Sequence, residues 1–297
     1  MIELVIAQRR RSLGGGLEVG RVLPFPARRM VGPFVFFDHM GPMDLAAGVG
    51  REVDVRPHPH IGLATVTYLL SGELMHRDSV GSEQPVRPHE VNWMTAGRGI
   101  THSERFEKAR REGDHLHGLQ AWVALPTGDE ECEPGFAHLG AAELPRWDDG
   151  GVSGELIAGS AWGLASPAPV RSPLFYARLD LAPGAQVELP QDYPERALYV
   201  AAGEAEVDGR TFAAGHMLVL APGAARVRSD RGATVMALGG EPVGERFLAW
   251  NFVSSSKERL AQAAADWAAG RMKLPDADDA EFIPLPADLQ APPTPPV

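Results

Sequence analysis

The stretch His58-Pro59-His60-Ile61-Gly62-Leu63-Ala64-Thr65-Val66-Thr67-Tyr68-Leu69-Leu70-Ser71-Gly72 bears on both fold class and chemistry. From Ala64 to Leu70 the run is rich in β-branched and aromatic residues, which favour strands, and Ser71-Gly72-Glu73 supplies a turn to end it. Successive strand residues point to opposite faces, so in an extended chain His58 and His60 project together into one interior. Downstream, His102-Ser103-Glu104 repeats the geometry with one imidazole and one carboxylate. Hairpins between the two pairs can bring their strands side by side within one barrel. Three nitrogens and one oxygen without thiolate suit a borderline first-row ion such as Fe, Mn, Ni, Cu or Co. Structural zinc usually recruits cysteine, and the single Cys132 is remote from both pairs in sequence.

The same strand-and-turn rhythm runs on either side. Phe34-Val35-Phe36-Phe37, Val91-Asn92-Trp93-Met94 and Gly118 to Leu125 read as strands of the first half. Thr127 to Gly151 reads as a linker, with acidic and glycine-containing turns. After it, Leu174 to Leu181, Ala197 to Val200 and Met217 to Leu220 read as strands again. Leu69-Leu70-Ser71-Gly72-Glu73 and Val200-Ala201-Ala202-Gly203-Glu204 both place a Gly-Glu turn after an apolar strand, which suggests an internal duplication. Ser255 followed by Glu258 has the spacing of a capping box, and Leu260, Ala263, Ala264, Trp267 and Ala268 recur near helical period until Gly270 and Pro275.

The chain has 297 residues, long enough for two domains of roughly 150 residues each. With 33 glycines and 26 prolines, it favours short strands over long helices. The expected division is 1–135, a metal-binding domain, then 136–275, a second domain with the helix, then an extended tail over 276–297. The formal charge of −11 disfavours direct contact with nucleic-acid phosphates, and the run Arg9-Arg10-Arg11 is too small for such a patch. A lone cysteine excludes an internal disulfide and favours a reducing compartment. Met1 to Ile6 does not look like a signal peptide, and no apolar run reaches the roughly 18 residues of a membrane span. The expectation is a cytoplasmic protein that does not cross a membrane.

Several longer phrases resemble the pirin family. They are His58 to Gly72 with His76-Arg77-Asp78-Ser79-Val80-Gly81, Trp93 to Glu104, Val31 to Pro42, and Trp250 to Arg259. The resemblance implies an all-β protein of two tandem cupin (double-stranded β-helix) barrels with a short C-terminal helix. It implies that the first barrel holds iron, as Fe(II), through His58, His60, His102 and Glu104. It also implies a quercetin 2,3-dioxygenase-like activity on a small aromatic flavonol, or alternatively a redox-responsive regulator that binds a protein partner. Glu104 is then both ligand and catalytic proton acceptor, because no other carboxylate is so placed in the motif. Asn92 departs from the family, whose members more often carry Gln there.

The general cupin spacing, counted back from Gly203, puts Arg196 where the second barrel would need an acid and Pro190 and Asp192 where it would need histidines. A cation at that place repels a divalent ion, so the second barrel is expected to be metal-free. His76 and Asp78 share a face if extended and can hydrogen-bond a ligand imidazole. His115 and His117 could line the same cavity but read as structural or surface residues, as does His39. Cys132 sits among acids that disfavour its thiolate.

Overall fold

Alternating apolar runs broken by glycine and proline turns cannot bury themselves as single strands; they pair into sheets and stack face to face. In the computed structural model, which describes residues 1–12 and 17–290, they form two such stacks. The first joins a seven-stranded sheet to a four-stranded one. The larger sheet runs in the order Gly135–Leu139, Val91–Thr95, Leu63–Ser71, Asp114–Ala124, Phe34–Leu45, Glu18–Leu23, Arg9–Ser12. The smaller runs Val55–His60, Ile100–Arg105, Leu74–Asp78, Glu83–Val86. The second stack is built on Glu195–Val207, a strand long enough to pair in two layers. It meets His216–Leu220 and Ala233–Gly240 in one layer and Arg210–Ala213 and Arg226–Arg228 in the other. The architecture is the mostly-β, two-cupin arrangement expected.

The larger sheet of the first barrel has two buried faces. One carries Ala64, Val66, Tyr68, Trp93, Leu119 and Ala121, which share a core with Tyr176, Tyr199, Met217 and Met236 of the second barrel. The barrels therefore pack sheet against sheet. The opposite face looks into the first barrel.

The ends of the chain are exchanged between the barrels. Ile2–Ala7 pairs with His216–Leu220 and so belongs to the second sheet. Phe252–Ser254 and the helix Lys257–Ala268 lie on the first barrel, where Ile61 bridges Phe252 and Val253 N–H donates to the Ile61 carbonyl at 3.2 Å. The stretch expected as a linker also holds strands. Gly135–Leu139 pairs with Val91–Thr95 of the first barrel, and Arg146–Asp149 with Val152–Ala161 of the second. We accordingly place the division between residues 140 and 145, with both termini crossing it.

The helix is capped by Ser256, one residue later than the spacing suggested: its hydroxyl accepts from Arg259 N–H at 3.2 Å. Ser255 is held by Glu130 instead. Residues 276–290, expected as an extended tail, are strapped to the first barrel. Arg105 is buried and binds both oxygens of Asp278 at 2.7 and 2.8 Å, and Ile283 N–H donates to the Pro57 carbonyl at 2.8 Å. The Pro-rich end, 291–297, lies outside the described residues.

Candidate metal centre

His58 and His60 come from Val55–His60, and His102 from the neighbouring strand Ile100–Arg105, where it sits directly opposite His58. Strand alternation turns all three inward. The ring centroids of His58 and His102 are 4.4 Å apart, those of His58 and His60 5.0 Å, and those of His60 and His102 5.1 Å. One nitrogen from each lies within 4.8 Å of the others, and all three residues are buried. Glu104 follows two residues after His102, past a register shift that sets it opposite Val55. It is buried but does not belong to the tight three-histidine group.

The hydrogen bonds decide which nitrogens are free. His58 Nδ1 lies 2.9 Å from the Arg56 carbonyl and His60 Nδ1 3.0 Å from the Asn251 carbonyl. A carbonyl only accepts, so both Nδ1 atoms carry the proton and both Nε2 atoms carry a lone pair. His102 Nε2 is buried and has no hydrogen-bond partner among the described residues. Burial pushes His58 down to about 4 and holds His60 and His102 well below the usual imidazole range, so all three are neutral near pH 7. Burial alone raises Glu104 to about 7, and its carboxylate has no hydrogen-bond or ion-pair partner among the described residues. Neutral imidazoles with inward lone pairs are the form that ligates a metal. The residues present fit a transition-metal ion held by histidine nitrogen, with an unpaired carboxylate on the same strand.

The wall facing the histidines comes from the larger sheet. Register puts Phe36, Trp122, Thr65, Met94 and Phe136 side by side on one face. Phe36 and Trp122 stack at 3.9 Å, Trp122 meets His60 edge-on at 4.9 Å, and Phe136 stacks on His76 at 4.5 Å. Farther along the same face, Arg21 pairs with Asp38, Thr67 with Gln120, and His138 with Asn92. The sequence reading missed Trp122, Phe136 and the Asn251 carbonyl. Alternation within Gly118 to Leu125 could have placed Trp122 inward; the carbonyl left no local signal.

The other histidines go elsewhere. His76 and Asp78 lie beside His102, buried. His115 is exposed and paired with Asp44 at 2.7 Å, an acid partner that sequence spacing did not reveal. His117 meets His39 at 2.7 Å between Nε2 atoms, and His39 Nδ1 meets the Tyr199 hydroxyl at 2.7 Å, at the seam of the barrels rather than in the histidine cavity. Burial raises the Cys132 thiol. In the second barrel Arg196 is buried and donates to the carbonyls of Pro190, Ala221 and Gly223 at 2.8, 2.9 and 2.6 Å. A main-chain cradle around a guanidinium thus stands at the place where the spacing sought a ligand.

Residues 16–123 match Pirin and residues 176–273 the Pirin C-terminal cupin domain. A pirin-like protein of Caulobacter vibrioides is 61% identical over 96% of this chain and 100% of its own length. A Pseudomonas aeruginosa protein provisionally named a quercetin 2,3-dioxygenase is 39% identical over 98% of this chain and 90% of its own. The crystal structure of a quercetin 2,3-dioxygenase from Acinetobacter baumannii superposes with a TM-score of 0.89 at 32% identity, covering 98% of this chain and 96% of that one. No helix among the described residues is long and apolar enough to cross a membrane.

Proposed function

This chain belongs to the pirin family, and from that premise we propose that it is an iron-dependent dioxygenase that opens flavonols such as quercetin. The observation that carries the reading is the trio of buried, neutral imidazoles with free Nε2 atoms facing an aromatic wall. His58, His60 and His102 would hold Fe(II), with Glu104 as a fourth ligand on the strand of His102. When bound, the ion supplies Lewis acidity toward a flavonol hydroxyl and redox chemistry toward O₂.

The protein's own groups supply the rest. Neutral imidazoles bring no charge that would repel a cation. The flat Phe36–Trp122 pair and Phe136 offer apolar surface for a planar aromatic ring and keep water from it. The Glu104 carboxylate, buried and without a hydrogen-bond or ion-pair partner among the described residues, takes the proton released as the flavonol hydroxyl ionises. The single cysteine fits a reducing, cytoplasmic setting.

The test is metal analysis of protein purified from its own host, then anaerobic addition of quercetin and exposure to O₂ with carbon monoxide measured. Stoichiometric iron and CO release are expected. Glu104→Gln with its metal retained should lower turnover by about 10²–10⁴-fold. Full activity in that variant would sink the role of Glu104. Metal binding without CO would favour the partner-binding alternative.

A further inference from the structure

His102 differs from the other two imidazoles in what holds it. His58 and His60 are oriented by main-chain carbonyls. His102 turns its Nδ1 toward another imidazole, His76 Nδ1, at 3.4 Å. His76 in turn presents Nε2 to Asp78 Oδ2 at 3.0 Å. Asp78 is fixed by its other oxygen, which accepts from the N–H groups of Val80 and Ser82 at 3.0 and 2.9 Å. The His76 ring is held flat against Phe136, with 17° between the planes. All three members of the chain are buried.

These contacts fix the direction of each hydrogen bond. A carboxylate has no proton to give, so His76 Nε2 donates to Asp78, and in the neutral imidazole His76 Nδ1 is left with a lone pair. That lone pair can only accept, so His102 donates from Nδ1. Its Nε2, buried and without a partner among the described residues, is then a bare lone pair. We propose that Asp78 and His76 set the tautomer of His102, which makes Asp78 a positioning residue for a divalent transition-metal ion two side chains away. The proposal rests on the reading that the three histidines hold a metal.

Asp78→Asn inverts the chain without changing its shape. The Asn carbonyl can still accept from Val80 and Ser82, while its amide N–H now donates to His76 Nε2. His76 must then carry its proton on Nδ1 and donate toward His102 Nδ1. His102 is left with its proton on Nε2, where the metal needs a lone pair.

Competition titration of the metal-free protein with Co(II) against a chelator tests this without any turnover. Asp78→Asn should weaken binding by about 10–100-fold. His76→Gln supplies a carbonyl oxygen that accepts from His102 without help from Asp78, so it should stay within about threefold of the parent, and adding Asp78→Asn to it should change little. A merely structural role for Asp78 predicts that the two effects add. Long-range ¹H–¹⁵N spectra of the metal-free protein should show His102 protonated on Nδ1 in the parent and on Nε2 in Asp78→Asn. Equal Co(II) affinity of Asp78→Asn and parent, additive effects, or an Nε2 proton on parent His102 would overturn the relay. Failure of the parent to bind Co(II) at all would count against the metal reading, and the nitrogen spectra would still decide the relay.

Discussion

Gly62 shows how tightly the residues after the histidine pair are held. Its φ is +68°, and a Cβ built there would lie 2.0 Å from the Val253 carbonyl oxygen. Gly62→Ala therefore combines a disfavoured backbone with a clash against main chain, and should cost about 2–4 kcal/mol. Denaturant unfolding checks this; a loss under about 0.5 kcal/mol would mean that the Val253 strand yields freely. The same neighbourhood separates what was legible from what was not. His58, His60 and His102 converge because strand alternation is a local rule, readable in three-residue phrases. The bond from His60 Nδ1 to the Asn251 carbonyl spans 191 positions and ends on a backbone atom that every residue possesses. No side-chain type could have announced it. Glu104 was legible as a carboxylate on the right strand, but the register shift beside His102 is a property of pairing and not of composition.

The long strands were readable for the same reason as the histidines: Leu63–Ser71 is apolar, β-branched and aromatic over most of its length, and Leu174–Leu181 apolar and aromatic. Arg146–Asp149 was not, being short, polar and anchored by its partner alone. Ser256 rather than Ser255 caps the helix because Glu130 claims Ser255, a contact between distant segments. The strap over 276–290 was read as tail because its anchors are a buried ion cluster and main-chain contacts to distant segments, which carry no local pattern. Arg105 is bound by Asp278, Glu281 and Asp54, and it directly follows Glu104 on the strand that also carries His102. Asp278→Ala leaves Arg105 with two of its three acids, and should destabilise by about 2 kcal/mol. Thermal unfolding of the variant reads this directly. An unchanged midpoint would show that Glu281 and Asp54 satisfy the guanidinium alone.

The two barrels meet at a buried seam in which His39 joins His117 to Tyr199. Burial, with a smaller effect of His117, lowers His39 from 6.5 to about 3. A histidine in the unfolded chain takes its proton near 6.5, whereas the folded protein keeps His39 neutral until about 3. Stability from this residue is therefore complete above pH 6.5 and is lost progressively as pH falls toward 3. The loss reaches roughly 2–3 kcal/mol by pH 4.5. His39→Gln should flatten that dependence, as unfolding of metal-free parent and variant at neutral and acid pH will show; parallel slopes would contradict it. That two domains exist was legible in the repeated turns, but which terminus completes which barrel was not, because an apolar strand does not encode its partner. The exchanged ends also carry a biosynthetic consequence. A chain emerging from the ribosome makes Ile2–Ala7 well before its native partner His216–Leu220, and His60 long before Asn251. A product cut short of Asn251 carries all three converging histidines yet lacks the carbonyl that fixes the His60 ring. The orientation of His60 is thus complete only in a chain made at least as far as Asn251.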